Sequence, residues 1–330
     1  GRDRGRLADR DPGQRPLQGP DRPGTAALSA VGSRVAYATC EDRISDWEDD
    51  LLSADLLAER GVEVEFAVWN DPAVDWESFD LTVIRSTWDY TERLEEFLAW
   101  CESVGPGKLR NVPAMILWNT DKRYLAELDG AGLPVPPTAL VAPGSNPPPF
   151  GGKVVIKPVS GAGARDTGVF DEANEEGGLA LLEKLARQDE IAMIQPYIPW
   201  IDERGETAVL FFGGRFAYAL KKRAFLPESG VAPVRPGTTV AEGMFAEDLM
   251  SLAEASQAEV ELGAKVVAWL ARRFGSVPLY ARIDMVSSPQ GEPVLMEVEV
   301  TEPSFYLGLT TGLETPGPEL FAAAVEAGLG

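Results

Sequence analysis

Glu297 and Glu299 alternate with Met296, Val298 and Val300, and Arg282 and Asp284 upstream are spaced in the same way. Residues two apart on a strand share a face, so each pair projects to one side. The two runs, YARIDMV and PVLMEVEV, flank SSPQGE, a hairpin loop. Pairing them brings Asp284, Glu297 and Glu299 together. Three carboxylates repel one another unless a cation neutralises them, and oxygen-only donors select Mg2+ or Mn2+. Mg2+ takes one or two protein carboxylates and completes its shell from phosphates and water. The competing reading is a solvated acidic face on an amphipathic hairpin.

A second stretch supplies what a phosphate-bearing ligand needs. In GGKVVIKPVSGAGARDTGVF, residues 151–170, an apolar run carrying Lys157 gives way to the small-residue loop 160–164, and Val169 and Phe170 resume an extended pattern. Small residues at Gly161, Ala162 and Gly163 let backbone N–H groups approach an anion, with the Lys157 charge beside them. No Gly-Lys-Ser/Thr follows, so this is not a Walker A loop. Alone, the stretch reads equally well as a Gly-rich hairpin tip with a solvated lysine. Further on, residues 195–198 of IAMIQPYIPW form an extended hinge whose backbone groups suit a planar ring. An anion-cradling loop, a hinge and a carboxylate cluster together imply a nucleoside triphosphate with a divalent ion.

Composition narrows the chemistry. The 330 residues contain no histidine, which removes Ser-His-Asp and Cys-His catalysis and His-ligated metals. A formal charge of -22 opposes nucleic acid or an anionic membrane as partner. Apolar runs fall short of the roughly 18 residues of a membrane span, and no signal segment opens the chain; a cytoplasmic protein is expected. Cys40 and Cys101 are too few for a disulfide framework and read as buried small hydrophobes.

Stepping along the chain, residues 1–30 are rich in Arg, Asp, Gly and Pro and are expected to be a disordered leader or tag. From Arg34, the strand RVAYATC, the helix WEDDLLSADLLAERG and the strands VEVEFAVW and LTVIRS predict an open parallel α/β sheet. Ligands lie beyond the carboxyl ends of such strands, which directs attention to residues 85–90. There Arg85 with Thr87 suits a carboxylate substrate, or Arg85 is merely salt-bridged. A helix over 92–104 and a short strand over 114–118 close this unit. Asn119, Thr120 and Asp121 are expected to cap a helix with Lys122 in its first turn. A helix over 174–187, the strands GETAVLFF and GRFAYALKKR joined at Gly213 and Gly214, a loop over 225–245 and a long helix over 249–274 lead to the final hairpin.

The order of these parts resembles the ATP-grasp ligases: Asp121-Lys122, VVIKP with its loop, IQPYIP, Arg282-x-Asp284, then Glu297-x-Glu299 before Pro303-Ser304. The stretches WNDPAVDWESFDLTVIRSTWDY, GAGARDTG and MEVEVTEPSFYL are most similar to the branch with the O-ureido-serine cyclo-ligase of cycloserine biosynthesis. The resemblance implies an α/β (α+β ATP-grasp) fold. A Rossmann-like substrate domain would span 31–116, a small lobe with the phosphate-covering loop 117–198, and a C-terminal lobe with the metal site 199–330. It implies that Lys122, Lys157 and residues 161–164 contact the phosphates of ATP. Gln195, Tyr197 and Ile198 would hold adenine, Glu206 the ribose, and Asp284, Glu297 and Glu299 the Mg2+ or Mn2+.

It further implies an acyl phosphate that a nitrogen nucleophile then displaces, with a small-molecule carboxylate and amine as substrates. Arg282 would stabilise the tetrahedral intermediate, Lys222 and Arg165 the transferring phosphoryl group, and Arg85, Thr87 and Ser304 would bind the acid. Many relatives are dimers, so a homodimer is compatible. Two features depart from the wider pattern. Glu299 stands where most ATP-grasp ligases have asparagine, as this branch tends to have it, and Tyr218 stands where the branch often has histidine before Lys221-Lys222. The second leaves the substrate open. The alternatives are a phosphotransferase on the same scaffold and a nucleotide-binding protein without turnover.

Overall fold

The computed structural model describes residues 32–41, 48–235, 240–246 and 248–330. The expected leader over 1–30 lies outside the described residues. The first sheet takes β1 (Arg34–Thr39), β2 (Glu63–Val68) and β3 (Leu81–Ser86), with α1 (Glu48–Glu59) crossing between the first two. After β3 come α2 (Leu94–Lys108) and β4 (Leu109–Arg110). The four strands are parallel in the order β2-β1-β3-β4, as the alternating pattern predicts. Regular helix in α2 stops at Gly105, whose φ of 78° no helix admits.

Next, α3 (Pro113–Asn119) is a helix where a strand is expected. The apolar run AMILW fits either state over so short a span, and Pro113 at the first helical position decides for helix. Lys122 precedes its expected helix, because α4 (Tyr124–Gly130) begins two residues later. Asn119 caps nothing. Its side chain donates to Val298 O at 2.6 Å and accepts from Val300 N at 3.0 Å, fastening the acidic strand.

The second sheet, of five strands, contains β5 (Ala139–Val141), β6 (Val154–Pro158) and β7 (Gly168–Phe170), and α5 (Glu175–Arg187) follows them. It is completed by β8 (Ala192–Pro196) and, from the 225–245 region, by β11 (Gly230–Val231). The apolar face of α5, Leu181, Leu182 and Leu185, covers Val154, Ile156 and Phe170. That packing fixes which residues of β6 point the other way.

Between β8 and β11 the chain makes α6 (Trp200–Arg204), β9 (Glu206–Phe212) and β10 (Arg215–Lys222), the last two joined through Gly213 and Gly214 with φ of 55° and 77°. After β11 come β12 (Met250–Ala253), α7 (Gln257–Phe274), β13 (Tyr280–Ser287), β14 (Pro293–Glu299) and α8 (Gly317–Gly328). The third sheet is antiparallel, β12-β10-β9-β13-β14. Residues 250–253, expected to be helical, pair with β10 instead. The helix starts after Ser256, whose hydroxyl accepts from Glu259 N while the Glu259 side chain accepts from Ser256 N, the reciprocal pairing that sets a helix start. No helix among the described residues is long and apolar enough to cross a membrane.

Candidate active site

A cleft of about 1290 Å3 is lined by both five-stranded sheets and by Cys40 and residues 88–92, just past the carboxyl ends of β1 and β3. On β6, Val154, Ile156 and Pro158 are buried, and the alternation turns Val155 and Lys157 to the cleft. Beyond it the loop turns on Gly161 and Gly163, with φ of 108° and 65°. At Gly163 a side chain has no room, since a Cβ would lie 2.9 Å from Val240 Cγ1, and Ala241 N–H donates to Gly163 O at 2.9 Å. Part of the long 225–245 loop thus packs on the anion loop; its residues 236–239 lie outside the described residues.

Lys122 joins this loop to the acidic hairpin. Its N–H donates to Val159 O at 2.7 Å, and its Nζ donates to Gly161 O at 2.6 Å and lies 3.2 Å from Glu297 Oε1. Burial opposes the charge of Glu297, but Lys122, Lys157 and Lys222 outweigh it and hold this carboxyl well below its ordinary range. Burial pushes the Lys157 ammonium down. Lys222 lies 3.2 Å from Glu206 and 3.8 Å from Asp284, and these two raise its pKa against the cost of burial. Lys221, one residue away, faces the other side of the sheet and donates to Thr207 Oγ1.

The hairpin forms as expected, and its register places Arg282 opposite Glu299 and Asp284 opposite Glu297. The expected carboxylate trio does not form, however. Asp284 is 1% exposed and both its oxygens accept from Arg282, at 2.9 and 3.0 Å. Arg282 also donates to Glu299 and to Ser304 O. Among the described residues no group of three acidic, cysteine or histidine side chains could hold a metal ion. What faces the cleft is a pair, Glu297 and Glu299, with side chains 30% and 27% exposed. Two hard oxygen donors from one strand fit an Mg2+ that draws its other ligands from phosphates and water. Burial, with Asp284 and Glu297 adding to it, holds the Glu299 carboxyl above its ordinary range, although Arg282 pulls it down.

Arg165, Ile198, Glu206, Lys222, Arg282 and Ser304 also line the cleft. Arg85 and Thr87 do not. The guanidinium of Arg85 is enclosed, paired with Asp50 at 2.8 Å and stacked 3.8 Å from the Phe305 ring centre. Thr87 is fully buried, its hydroxyl without a partner among the described residues. The direct contact with an acid expected of both is therefore corrected: the end of β3 and Thr87 are buried throughout, and the cleft receives residues 88–92 instead. At the hinge, Gln195 and Tyr197 line the cleft as well. The Gln195 side chain donates to Thr138 Oγ1 at 2.9 Å, and the Tyr197 N–H donates to Lys153 O at 2.8 Å. Both groups are committed, while the Ile198 N–H has no acceptor among the described residues.

Sequence reasoning missed Glu302 and Tyr306, which line the cleft beside Ser304. Burial pushes the Glu302 carboxyl up to about 8, with Glu299 adding to it. Strand alternation alone does not find them, because the cleft-facing positions 297 and 299 would continue to 301, 303 and 305, and the phase shifts by one residue past the end of β14.

Residues 35–111 match the family of the D-cycloserine synthetase DcsG N-terminal domain. Over 260 residues, 75% of this chain and 84% of the relative, the sequence is 32% identical to the cycloserine biosynthesis protein DcsG of Streptomyces lavendulae. The chain belongs to the ATP-grasp ligases, in the D-cycloserine synthetase branch. The crystal structure of D-cycloserine synthetase DcsG superposes with a TM-score of 0.77 at 29% identity, covering 90% of this chain and all of that one. The D-alanine–D-alanine ligase of Bacillus anthracis shares the fold, with a TM-score of 0.59 at 16% identity over 90% of this chain and 97% of its own.

Proposed function

We propose that this ADP-forming ligase cyclises an O-ureido-serine-type amino acid. The substrate carboxylate attacks the γ-phosphorus of ATP and ADP leaves. A nitrogen of the same molecule then displaces phosphate from the acyl phosphate and closes the ring. The observation that carries the reading is the double engagement of Lys122, bonded at once to the loop carbonyl of Gly161 and to Glu297. One cation between an anion loop and a carboxylate hairpin is what a bound triphosphate needs, because its charge develops between those two elements.

In this reading Lys122, Lys157 and the backbone of 161–163 take the phosphates, Ile198 the adenine edge and Glu206 the ribose. Glu297 and Glu299 hold Mg2+, which when bound neutralises phosphate charge; Asp284 reaches a metal only if Arg282 releases it. Lys222 and Arg165 balance charge on the transferring phosphoryl group, and Arg282 the oxyanion formed at the carboxyl carbon. Ser304, with Glu302 and Tyr306, faces the acid.

The test is ADP release with Mg-ATP and O-ureido-D-serine or its L form, with and without hydroxylamine. Turnover on one of these substrates alone, and a hydroxamate when hydroxylamine is present, are expected. ADP without hydroxamate points to a phosphotransferase, and no ADP with any amino acid to nucleotide binding without turnover; either result overturns the proposal.

A further inference from the structure

We propose that Asp49 is a positioning residue that shapes the acid-facing wall of the cleft from behind. Along 301–307 burial alternates strictly: Thr301, Pro303, Phe305 and Leu307 are buried, while Glu302, Ser304 and Tyr306 are half-buried and line the cleft. The backbone of this wall is held largely from its rear, with Arg282 reaching it from the cleft. Tyr280 OH donates to Thr301 O at 2.8 Å, Arg85 Nη1 to Pro303 O at 3.4 Å, Arg282 Nη1 to Ser304 O at 3.2 Å and Tyr218 OH to Phe305 O at 2.8 Å. The N–H groups of Phe305, Tyr306 and Leu307 all donate to the Asp49 carboxylate, at 2.9, 2.6 and 2.5 Å.

Three successive N–H groups converge on one anion only when the backbone forms a concave nest. Here the nest depends on Tyr306, a non-glycine residue in the left-handed region with φ 54° and ψ 45°, a conformation that persists only where its surroundings enforce it. Asp49 supplies that enforcement. It sits in the first turn of α1, 4% exposed, beside the Asp50–Arg85 pair that fastens Pro303. The same turn that aims three N–H groups at Asp49 leaves the Tyr306 side chain in the cleft. Without the carboxylate, Tyr306 relaxes out of the left-handed region and the wall rearranges, although Asp49 itself touches no part of the cleft surface.

The consequence for substrate rests on the cyclo-ligase reading; the consequence for the backbone does not. The experiment compares wild type with Asp49→Asn, which keeps the shape but replaces one acceptor by a donor. Amide exchange read by mass spectrometry is expected to speed up at least 10-fold in peptides covering 305–307, with 154–170 unchanged. With Mg-ATP and O-ureido-D-serine, KM for the amino acid is expected to rise at least 10-fold and KM for ATP to stay within 2-fold. Unchanged exchange at 305–307, or equal rises in both KM values, overturns the proposal. Should Asp49→Asn not fold, Asp49→Ser, which keeps one oxygen acceptor, is read in the same way, and failure of both to fold makes Asp49 a general structural residue instead. A wild type inactive on O-ureido-D-serine sinks the function reading alone, since the exchange arm uses no substrate.

Discussion

Removing a charge from the cleft should stabilise this protein, and the pH dependence of the gain tests why. Glu302 has its carboxyl raised from 4.5 to about 8, first by burial and then by Glu299, against the pull of Arg282, Arg85 and Lys122. A carboxyl with a raised folded-state pKa binds more protons in the folded than in the unfolded chain between those two values. Stability from this group is therefore complete below pH 4.5 and is lost as pH rises through about 8. At ~1.4 kcal/mol per pH decade the whole interval would be worth ~5 kcal/mol. Solvent access from the cleft screens the ionised form and brings the net effect to about 2 kcal/mol.

Glu302→Gln cannot ionise, so the ligand-free variant should match wild type near pH 4.5 and exceed it at pH 9 by about 4 °C in Tm, at ~2 °C per kcal/mol for a chain of this length. Differential scanning calorimetry across that range is the assay. A difference in Tm that is flat with pH, or a variant less stable at pH 9, would refute the electrostatic argument. A gain on neutralising a cleft carboxylate is the mark of a group kept for its ligand at the expense of the fold.

Glu297→Gln should do the reverse: its carboxyl is held low by three lysines, so wild type should lose its advantage as pH falls below 4.5. ADP formation by this variant should drop at least 100-fold, and retained turnover would sink the metal assignment. Asp284→Asn leaves Arg282 buried without its bidentate partner and should cost about 3 kcal/mol in denaturant unfolding, as well as activity. Lys122→Ala removes the link between loop and hairpin and should raise KM for ATP at least 10-fold while KM for the amino acid stays within 2-fold. Gly163→Ala meets both a φ of 65° and the Val240 side chain at 2.9 Å, and an ATP titration should show weaker binding with little change in Tm.

What could be read from residue order was what depends on local period. The final hairpin and the shared faces of its charged residues follow from two-residue alternation on both strands, and the anion loop follows from its small residues. The two misread elements failed for different reasons. Residues 114–118 are too short for periodicity to separate helix from strand, so Pro113 had to decide. The false helical start at 249 ignored a signal that was present, the Ser256–Glu259 reciprocal cap. No local pattern, by contrast, distinguishes an arginine that grips substrate from one that is buried, because Arg85 finds its partner Asp50 thirty-five residues earlier in the chain.

That distinction changes how the cleft is understood. Arg85 stands at the carboxyl end of a parallel strand, where a ligand contact is expected, yet its charge is spent on Asp50, and its neighbour in space, Asp49, is spent on three backbone N–H groups of the opposite wall. The polar groups of the parallel sheet that look best suited to a substrate are thus turned toward the protein and fix residues 303–307. The cleft surface from this side is left to Cys40 and residues 88–92. Buried charges are costly unless fully partnered, and here the partnering is what holds the wall. On the proposed cyclo-ligase reading, the parallel sheet acts on the substrate chiefly by holding Glu302, Ser304 and Tyr306 in place, so changes in acid specificity should follow substitutions in α1 as readily as substitutions in the cleft.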